Sequence, residues 1–207
     1  MTAVERIQQL REQLHRYNYA YYIEDKHLIS DFEFDQLLKE LQALEAQHPE
    51  LYDPNSPSMR VGGSITKNFQ TVTHAERMYS LDNTYSPEEL GDWLKRIEKI
   101  NGAPITSFTC ELKFDGASIN MTYVNGELQK AVTRGDGSQG DDVTANVKTI
   151  QNVPLKLSGD FPPEFDIRGE IILPLAGFEA LNKKRLAAGE EPYRNPRNTA
   201  SGSLKLQ

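Results

Sequence analysis

Asn125-Gly126 restricts the fold more than any other feature of this chain. The pair lies between two runs of alternating character, Ala117 to Val124 and Glu127 to Thr133. A two-residue connection of this kind favours a type I′ turn, which needs positive φ at both positions and so selects Asn-Gly. The middle of the chain is therefore expected to fold as an antiparallel hairpin. Thr106 to Phe114 alternates in the same way and reads as another strand, and Phe165 to Leu173 as one more.

The first fifty residues carry a different period. Val4, Ile7, Leu10, Leu14, Tyr17 and Tyr21 recur at helical spacing, which predicts an amphipathic helix of about twenty residues. A second helix begins at Ser30, where Glu33 three positions later can complete a capping box. Phe34, Leu37, Leu38, Leu41 and Leu44 form its apolar stripe, and His48-Pro49 ends it. The two helices read as a hairpin. Asp53-Pro54-Asn55-Ser56-Pro57 and then Val61-Gly62-Gly63 break the pattern, dividing the chain into 1–65 and 66–207. A third helix opens at Ser86-Pro87-Glu88-Glu89, with Ser86 as cap and Glu89 placed to close the box. A short helix from about Asp141 and one from about Pro174 to Ala188 complete the elements. The expected class is α+β: helices first, then an antiparallel sheet with helices packed around it.

With 207 residues the chain can bury a substantial core, and its 38% hydrophobic and 26% charged content is that of a soluble globular protein. No stretch approaches the length of a membrane span, and Met1 to Arg6 lacks the apolar core of a signal peptide, so a cytoplasmic location is expected. Cys110 is the only cysteine, which excludes an intrachain disulfide and a thiolate zinc cage; on the apolar side of its strand it would serve packing. The net charge of −7 argues against gripping a nucleic-acid backbone unaided, since phosphate contacts need clustered Lys and Arg. The basic runs Tyr193 to Asn198 and Lys183-Lys184-Arg185 read, taken alone, as a solvated loop and helix face.

The chemistry concentrates in Cys110-Glu111-Leu112-Lys113-Phe114-Asp115-Gly116. Lys113 stands at a strand end before an Asp-Gly turn, and alternation puts Glu111 and Lys113 on one side of the strand. A lysine amine attacks only when neutral, so its ordinary pKa, about 10.4, has to fall. Burial and nearby cations act in that direction. Glu111 would oppose it, and is therefore expected to face a donor on a ligand. Arg134, in Arg134-Gly135-Asp136-Gly137, offers a planar fork for phosphate or ribose oxygens. Glu170 sits on another strand beside Gly169, which permits close backbone approach, and can hold a ribose hydroxyl or Mg²⁺. Arg197, in a Pro-containing loop, can reach phosphate. Each has a plainer alternative: Arg134 pairing with Asp136, Glu170 with the neighbours of Arg168, Arg197 solvated, and the Lys-x-Asp-Gly turn an ordinary hairpin.

In combination, C-E-L-K-F-D-G, T-R-G-D-G-S-Q-G-D-D-V-T-A-N-V, I-R-G-E-I and N-P-R-N-T-A-S-G-S-L-K closely resemble the adenylation domain of bacterial NAD⁺-dependent DNA ligases. Ser80-Leu81-Asp82-Asn83 resembles that family's segment before the nucleotide pocket, and the resemblance covers essentially the whole chain. It implies a nucleotidyltransferase domain, ATP-grasp-like, in which Lys113 becomes adenylated, Glu111 recognises adenine, Arg134 and Glu170 hold ribose and neighbouring groups, and Arg197 lies near phosphate or DNA. It also implies that the helical hairpin binds the nicotinamide mononucleotide half of NAD⁺ through Tyr21, Tyr22, Asp31, Phe34 and Asp35, a module that ATP-dependent ligases lack. Asp31 and Asp35 share a helix face, where the helix dipole would favour them even without a ligand. Three positions depart from the family pattern: Tyr22 stands for His, Phe34 for Tyr and Lys205 for Arg.

The implied donor is NAD⁺, used for its AMP with Mg²⁺ and not as a hydride carrier, which fits the missing G-x-G-x-x-G fingerprint. Nicked double-stranded DNA is the implied partner of the full enzyme, and a monomer is expected. The sequence stops before the family's later strands, so the chain is expected to be an N-terminal portion unable to seal nicks alone. Two other functions compete: a lysine nucleotidyltransferase using ATP or GTP, and a nucleotide-binding module without chemistry.

Overall fold

The computed structural model describes residues 2–22, 24, 26–60 and 69–205, excluding the side chains of Tyr22 and Asp31. The expected division at 65/66 and the Val61-Gly62-Gly63 break lie outside the described residues. Among those described, no helix is long and apolar enough to cross a membrane.

The helical period at the N-terminus produces α1 (Ala3–Tyr22) and α2 (Asp31–Gln47). Ile7, Leu10 and Leu14 are fully buried against Leu41, with Phe34, Leu37, Leu38 and Leu44 packed around them. Val4 and Tyr21, the two ends of the expected stripe, remain exposed. The capping box at Ser30 forms as expected: Ser30 Oγ accepts from Glu33 N–H at 3.3 Å, and Ser30 N–H donates to Glu33 Oε2 at 2.9 Å. The Ser30 N–H bond, with a second bond donated by Ser30 Oγ to Glu33 Oε2 at 2.8 Å, holds the Glu33 pKa below its ordinary value. Arg6 clamps Glu40 in a two-bond fork, with both distances 2.6 Å, tying the helices across their rim.

Two short 3₁₀ turns, Pro49–Leu51 and Pro57–Arg60, carry the chain away from the hairpin. Arg60 is buried, and its guanidinium donates to the carbonyls of Lys148, Ile150 and Val153 at 3.4, 3.0 and 2.8 Å. Lys148 Nζ returns a bond to Pro54 O at 2.8 Å. The segment after the hairpin is thereby fastened to residues nearly a hundred positions later in the chain.

The remaining elements are β1 (Thr71–Thr73), α3 (Pro87–Asn101), β2 (Ala117–Val124), β3 (Glu127–Thr133), β4 (Gln139–Asp141), α4 (Thr144–Val147), β5 (Glu164–Ile171), α5 (Leu175–Ala187) and α6 (Pro196–Ser203). They form a three-stranded antiparallel sheet in the order β3-β2-β5 and a two-stranded ribbon of β1 with β4. The class is thus α+β, as expected, with helices and small antiparallel sheets.

Asn125 and Gly126 take φ of 50° and 79°, the turn their identities demand. A side chain at Gly126 would also strike the Phe161 ring, whose Cζ lies 2.4 Å from where a Cβ would stand. Register shifts where Thr122 faces Lys130 but Tyr123 faces Leu128, leaving Gln129 as the extra residue of a bulge. Ile119, Tyr123, Leu128 and Ala131 bury the inner face against Val143, Val147, Leu155 and Leu204. Tyr123 stacks on Phe165, its partner in register, with ring centroids 5.5 Å apart, and donates to Pro154 O at 2.7 Å. Burial pushes this phenol up to about 12.

Four sequence expectations are corrected. Thr106 to Phe114 is not a strand: residues 104–115 have no regular structure, and the segment pairs with no described strand. Cys110 in that segment is therefore exposed and not packed. Arg197 lies in the first turn of α6, not in a loop; Asn195 caps this helix by accepting from Asn198 N–H at 2.8 Å, and Pro196 fills the first helical position. Glu89 closes no box on Ser86. Ser86 Oγ accepts from Glu89 N–H at 3.2 Å, but the Glu89 carboxylate accepts from Tyr85 N–H, one residue earlier, at 2.6 Å.

Candidate active site

Antiparallel pairing of β2 with β5 sets Ser118 opposite Glu170, Asn120 opposite Arg168 and Thr122 opposite Asp166. Residues directly opposite share a sheet face, so this face is polar while Ile119, Met121 and Tyr123 supply the other to the core. At the start of β2 the Glu170 carboxylate accepts from Ser118 Oγ at 2.7 Å and from Gly116 N–H at 3.2 Å. Neither bond involves the neighbours of Arg168; Arg168 itself donates to Glu76 O at 2.8 Å.

Close backbone approach occurs at Gly116 and not at Gly169. A Cβ at Gly116 would lie 2.3 Å from Ile171 O, whereas one at Gly169 would meet only Ile119 Cγ2 at 4.0 Å. The glycine that closes the Lys-x-Asp-Gly motif is thus required where the chain joins the sheet.

Just before it, Glu111, Lys113 and Asp115 are exposed. The strand alternation expected to align Glu111 with Lys113 does not exist, and the burial expected to activate the amine does not surround Lys113. Desolvation of that amine would have to come with the ligand. Asp115 Oδ1 lies 3.4 Å from Arg197 Nε, which brings the first turn of α6 against the Lys113 segment.

The Arg134-Gly135-Asp136-Gly137 turn is fixed by its own backbone. Asp136 Oδ1 accepts from Ser138 and Gln139 N–H at 2.8 and 2.9 Å, and these bonds hold its pKa below the ordinary value. Asp136 is thus occupied by the turn, and Arg134 bonds elsewhere. Arg134 N–H donates to Ser118 O at 3.2 Å, and its Nη1 donates to Ser80 Oγ at 3.4 Å. Ser80 is delivered by residues 74–78, where His74 N–H bonds Ser138 O and Met78 N–H bonds Gly137 O, each at 2.9 Å. Leu81 beside it is 76% exposed, an apolar side chain available to a ligand or a neighbouring segment. Lys205 pairs with Asp141 at 2.6 Å, so its charge is used within the chain.

A second cleft of about 310 Å³ opens between the end of α1 and the start of α2. Tyr21, Phe34 and Asp35 line it, together with Tyr17, Asn18 and His27, which sequence reasoning did not pick out. Tyr17 is read there as part of the core stripe, and nothing marks His27 until the loop folds its ring edge-on to Tyr21, with centroids 4.8 Å apart. The side chains of Tyr22 and Asp31 lie outside the described residues.

Ser80, Glu170, Arg134, Asp115 with Arg197, and the Lys113 turn are gathered through the start of β2 and its neighbours. Sequence reasoning missed Ser118 and the ion-pairing of Asp115; for Ser118 the only signal is the register of β2 with β5.

Residues 66–207 match the family model of the NAD-dependent DNA ligase adenylation domain, and residues 1–62 that of the DNA ligase-like N-terminal NAD⁺-binding domain. The chain belongs to the NAD-dependent DNA ligase family. It is 62% identical over 207 residues to a DNA ligase of Flavobacterium psychrophilum, 60% to one of Flavobacterium johnsoniae, and 55% over 208 residues to one of Bacteroides fragilis. In each case all of this chain is covered, and it spans 31% of the relative's length.

Proposed function

We propose that Lys113 is the nucleophile that takes AMP from NAD⁺. Its Nζ attacks the α-phosphorus, the N–P bond forms as the P–O bond to nicotinamide mononucleotide breaks, and the departing mononucleotide carries the electron pair. The observation that carries this reading is the junction at the start of β2, where Gly116, Ser118 and Glu170 hold the Lys113 turn. Glu170 and Arg134 serve the ribose and nearby oxygens, with Ser80 and Leu81 beside Arg134. Glu111 selects adenine, and Arg197 meets phosphate or DNA. The α1–α2 cleft takes the nicotinamide mononucleotide half through Tyr21, Phe34 and Asp35, with Tyr22 and Asp31 in the same role.

The division into 1–65 and 66–207 then separates donor capture from transfer, the second part being an ATP-grasp-like nucleotidyltransferase. Among the described residues no group of three or more His, Cys, Asp or Glu side chains stands together to hold a metal. Mg²⁺ would therefore be held chiefly through phosphate oxygens, where it neutralises charge. In the whole ligase AMP passes to the 5′-phosphate of a nick, in replication and repair, and the 3′-hydroxyl then displaces it. A cytoplasmic monomer suits this role.

Intact-mass measurement of the chain after incubation with NAD⁺ and Mg²⁺ tests the reading. One AMP is added, nicotinamide mononucleotide is released, and Lys113→Ala abolishes both. Adenylation from ATP in place of NAD⁺ would move the chain to the ATP-using class, and binding without covalent addition would make it a nucleotide-binding module.

A further inference from the structure

We propose that Ser118 is a positioning residue that acts through Glu170 to set the turn carrying Lys113; this rests on Lys113 being the adenylated nucleophile. Among the described residues Glu170 accepts two bonds, one at each carboxylate oxygen. Oε2 accepts from Ser118 Oγ at 2.7 Å and Oε1 from Gly116 N–H at 3.2 Å. A hydroxyl bonded to a carboxylate at this distance is a strong charge-assisted interaction, and the longer bond to Gly116 is the weaker of the two. The Ser118 bond thus anchors the carboxylate, and the Gly116 bond follows from that placement.

Gly116 is the last residue of the Lys-x-Asp-Gly turn, three positions after Lys113. Residues 104–115 have no ladder of backbone bonds, and Lys113, Phe114 and Asp115 are exposed. Among the described residues, two interactions hold the turn to the rest of the chain: Gly116 N–H on Glu170, and Asp115 paired at 3.4 Å with Arg197. Ion pairs between exposed side chains contribute little. The Glu170 bond is therefore the stronger of the two, and it acts where the Gly116 backbone already lies close to Ile171 O.

A glutamate side chain has three rotatable bonds, and on a strand none is blocked by a preceding helical turn. Without the Ser118 hydroxyl, Oε2 loses its partner, the carboxylate turns toward solvent, and Gly116 N–H loses its acceptor. A carboxylate has about four lone-pair sites, so the two bonds leave room for a ribose hydroxyl. Glu170 can then hold the nucleotide and the nucleophile's turn at once, and Ser118 supplies its fixed orientation.

The test compares Ser118→Ala and Ser118→Thr in the 207-residue chain. Gly116 amide exchange is read by NMR, and single-turnover adenylation is followed by intact mass across a series of NAD⁺ concentrations. In Ser118→Ala the Gly116 amide exchanges about tenfold faster and the maximal adenylation rate falls about tenfold, as for loss of one hydrogen bond to a charged group. The half-saturating NAD⁺ concentration rises as well, because Glu170 also serves the ribose, so the fall in maximal rate and the Gly116 exchange are the readouts that report on the turn. Ser118→Thr keeps the hydroxyl and restores both. The proposal is overturned by unchanged exchange and rate in Ser118→Ala, by equal loss in Ser118→Thr, or by a raised half-saturation at unchanged maximal rate. A parent chain that takes up no AMP would refute the nucleophile assignment alone, and the Gly116 exchange comparison would still decide whether Ser118 sets the turn.

Discussion

Arg197 and Asp115 meet at 3.4 Å with 56% and 76% of their side chains exposed, joining α6 to the segment that carries Lys113. A pair so exposed contributes about 0–1 kcal/mol to folding. Arg197→Ala should therefore move the melting temperature by less than about 4 °C. Loss of a donor that stabilises phosphate charge should lower adenylation about a hundredfold. Calorimetry and intact-mass kinetics on the same sample separate the two effects. A rate within twofold of the parent would remove Arg197 from the site.

Arg60 presents the opposite balance. It is 7% exposed and donates to three backbone carbonyls, so Arg60→Met leaves those acceptors unpaired in a buried place. A loss of about 2–4 kcal/mol is expected, seen as a lower urea midpoint with an unchanged slope. A shift below about 0.5 kcal/mol would mean that solvent reaches these carbonyls.

His15 gives the fold a pH dependence. Burial lowers its pKa to about 4, with Arg60 and Lys156 adding to the shift and Asp53 opposing it. The unfolded chain binds this proton below about pH 6.5, so between about 4 and 6.5 it carries more protons than the native state and stability rises with pH. The contribution is complete above about pH 6.5 and is lost as pH falls toward 4, amounting to on the order of 2 kcal/mol between pH 7 and 5. His15→Gln should flatten that part of a stability–pH curve measured by denaturant titration. An identical slope in the variant would assign the dependence to other groups.

The α1–α2 cleft supplies a binding prediction. Tyr21→Ala and Asp35→Ala, both on its lining, should each weaken nicotinamide mononucleotide binding about five- to tenfold, the scale of one ring contact or one polar contact. Titration calorimetry measures this directly. Unchanged affinity in both variants would place the mononucleotide elsewhere.

Nick sealing should be absent from the isolated chain, whose net charge is −7. Sealing needs a grip on the DNA backbone, and that grip comes from clustered cations. The measurement is conversion of a nicked duplex in a gel assay; efficient closure by this chain would contradict the expectation.

How much could be read in advance depended on the range of the forces involved. The turn at Asn125-Gly126, the Ser30–Glu33 capping box and the Ile7–Leu10–Leu14 stripe each follow from residues within a few positions of one another, and each forms as read. Thr106 to Phe114 has the alternation of a strand, yet alternation supplies no neighbour. The segment joins none of the described strands and has no regular structure. At Arg197 the signal is local: Asn195-Pro196 is a helix start, with Asn195 as cap and Pro196 in the first turn, and it outweighs the loop reading of the proline.

The sequence by itself determined the family, because the motifs around Lys113, Arg134, Glu170 and Arg197 are strings whose order and identity need no fold to be recognised. It also determined the local elements, through the short-range steric and hydrogen-bonding preferences of those strings. Only the tertiary structure decided what each side chain touches. Ser118 meets Glu170 across 52 positions, Arg134 meets Ser80 across 54, and Arg60 reaches Val153 across 93. Such contacts depend on strand register and on where loops return, and these are set by burying the Ile119–Tyr123–Leu128 core, a property of the whole chain that no short window contains.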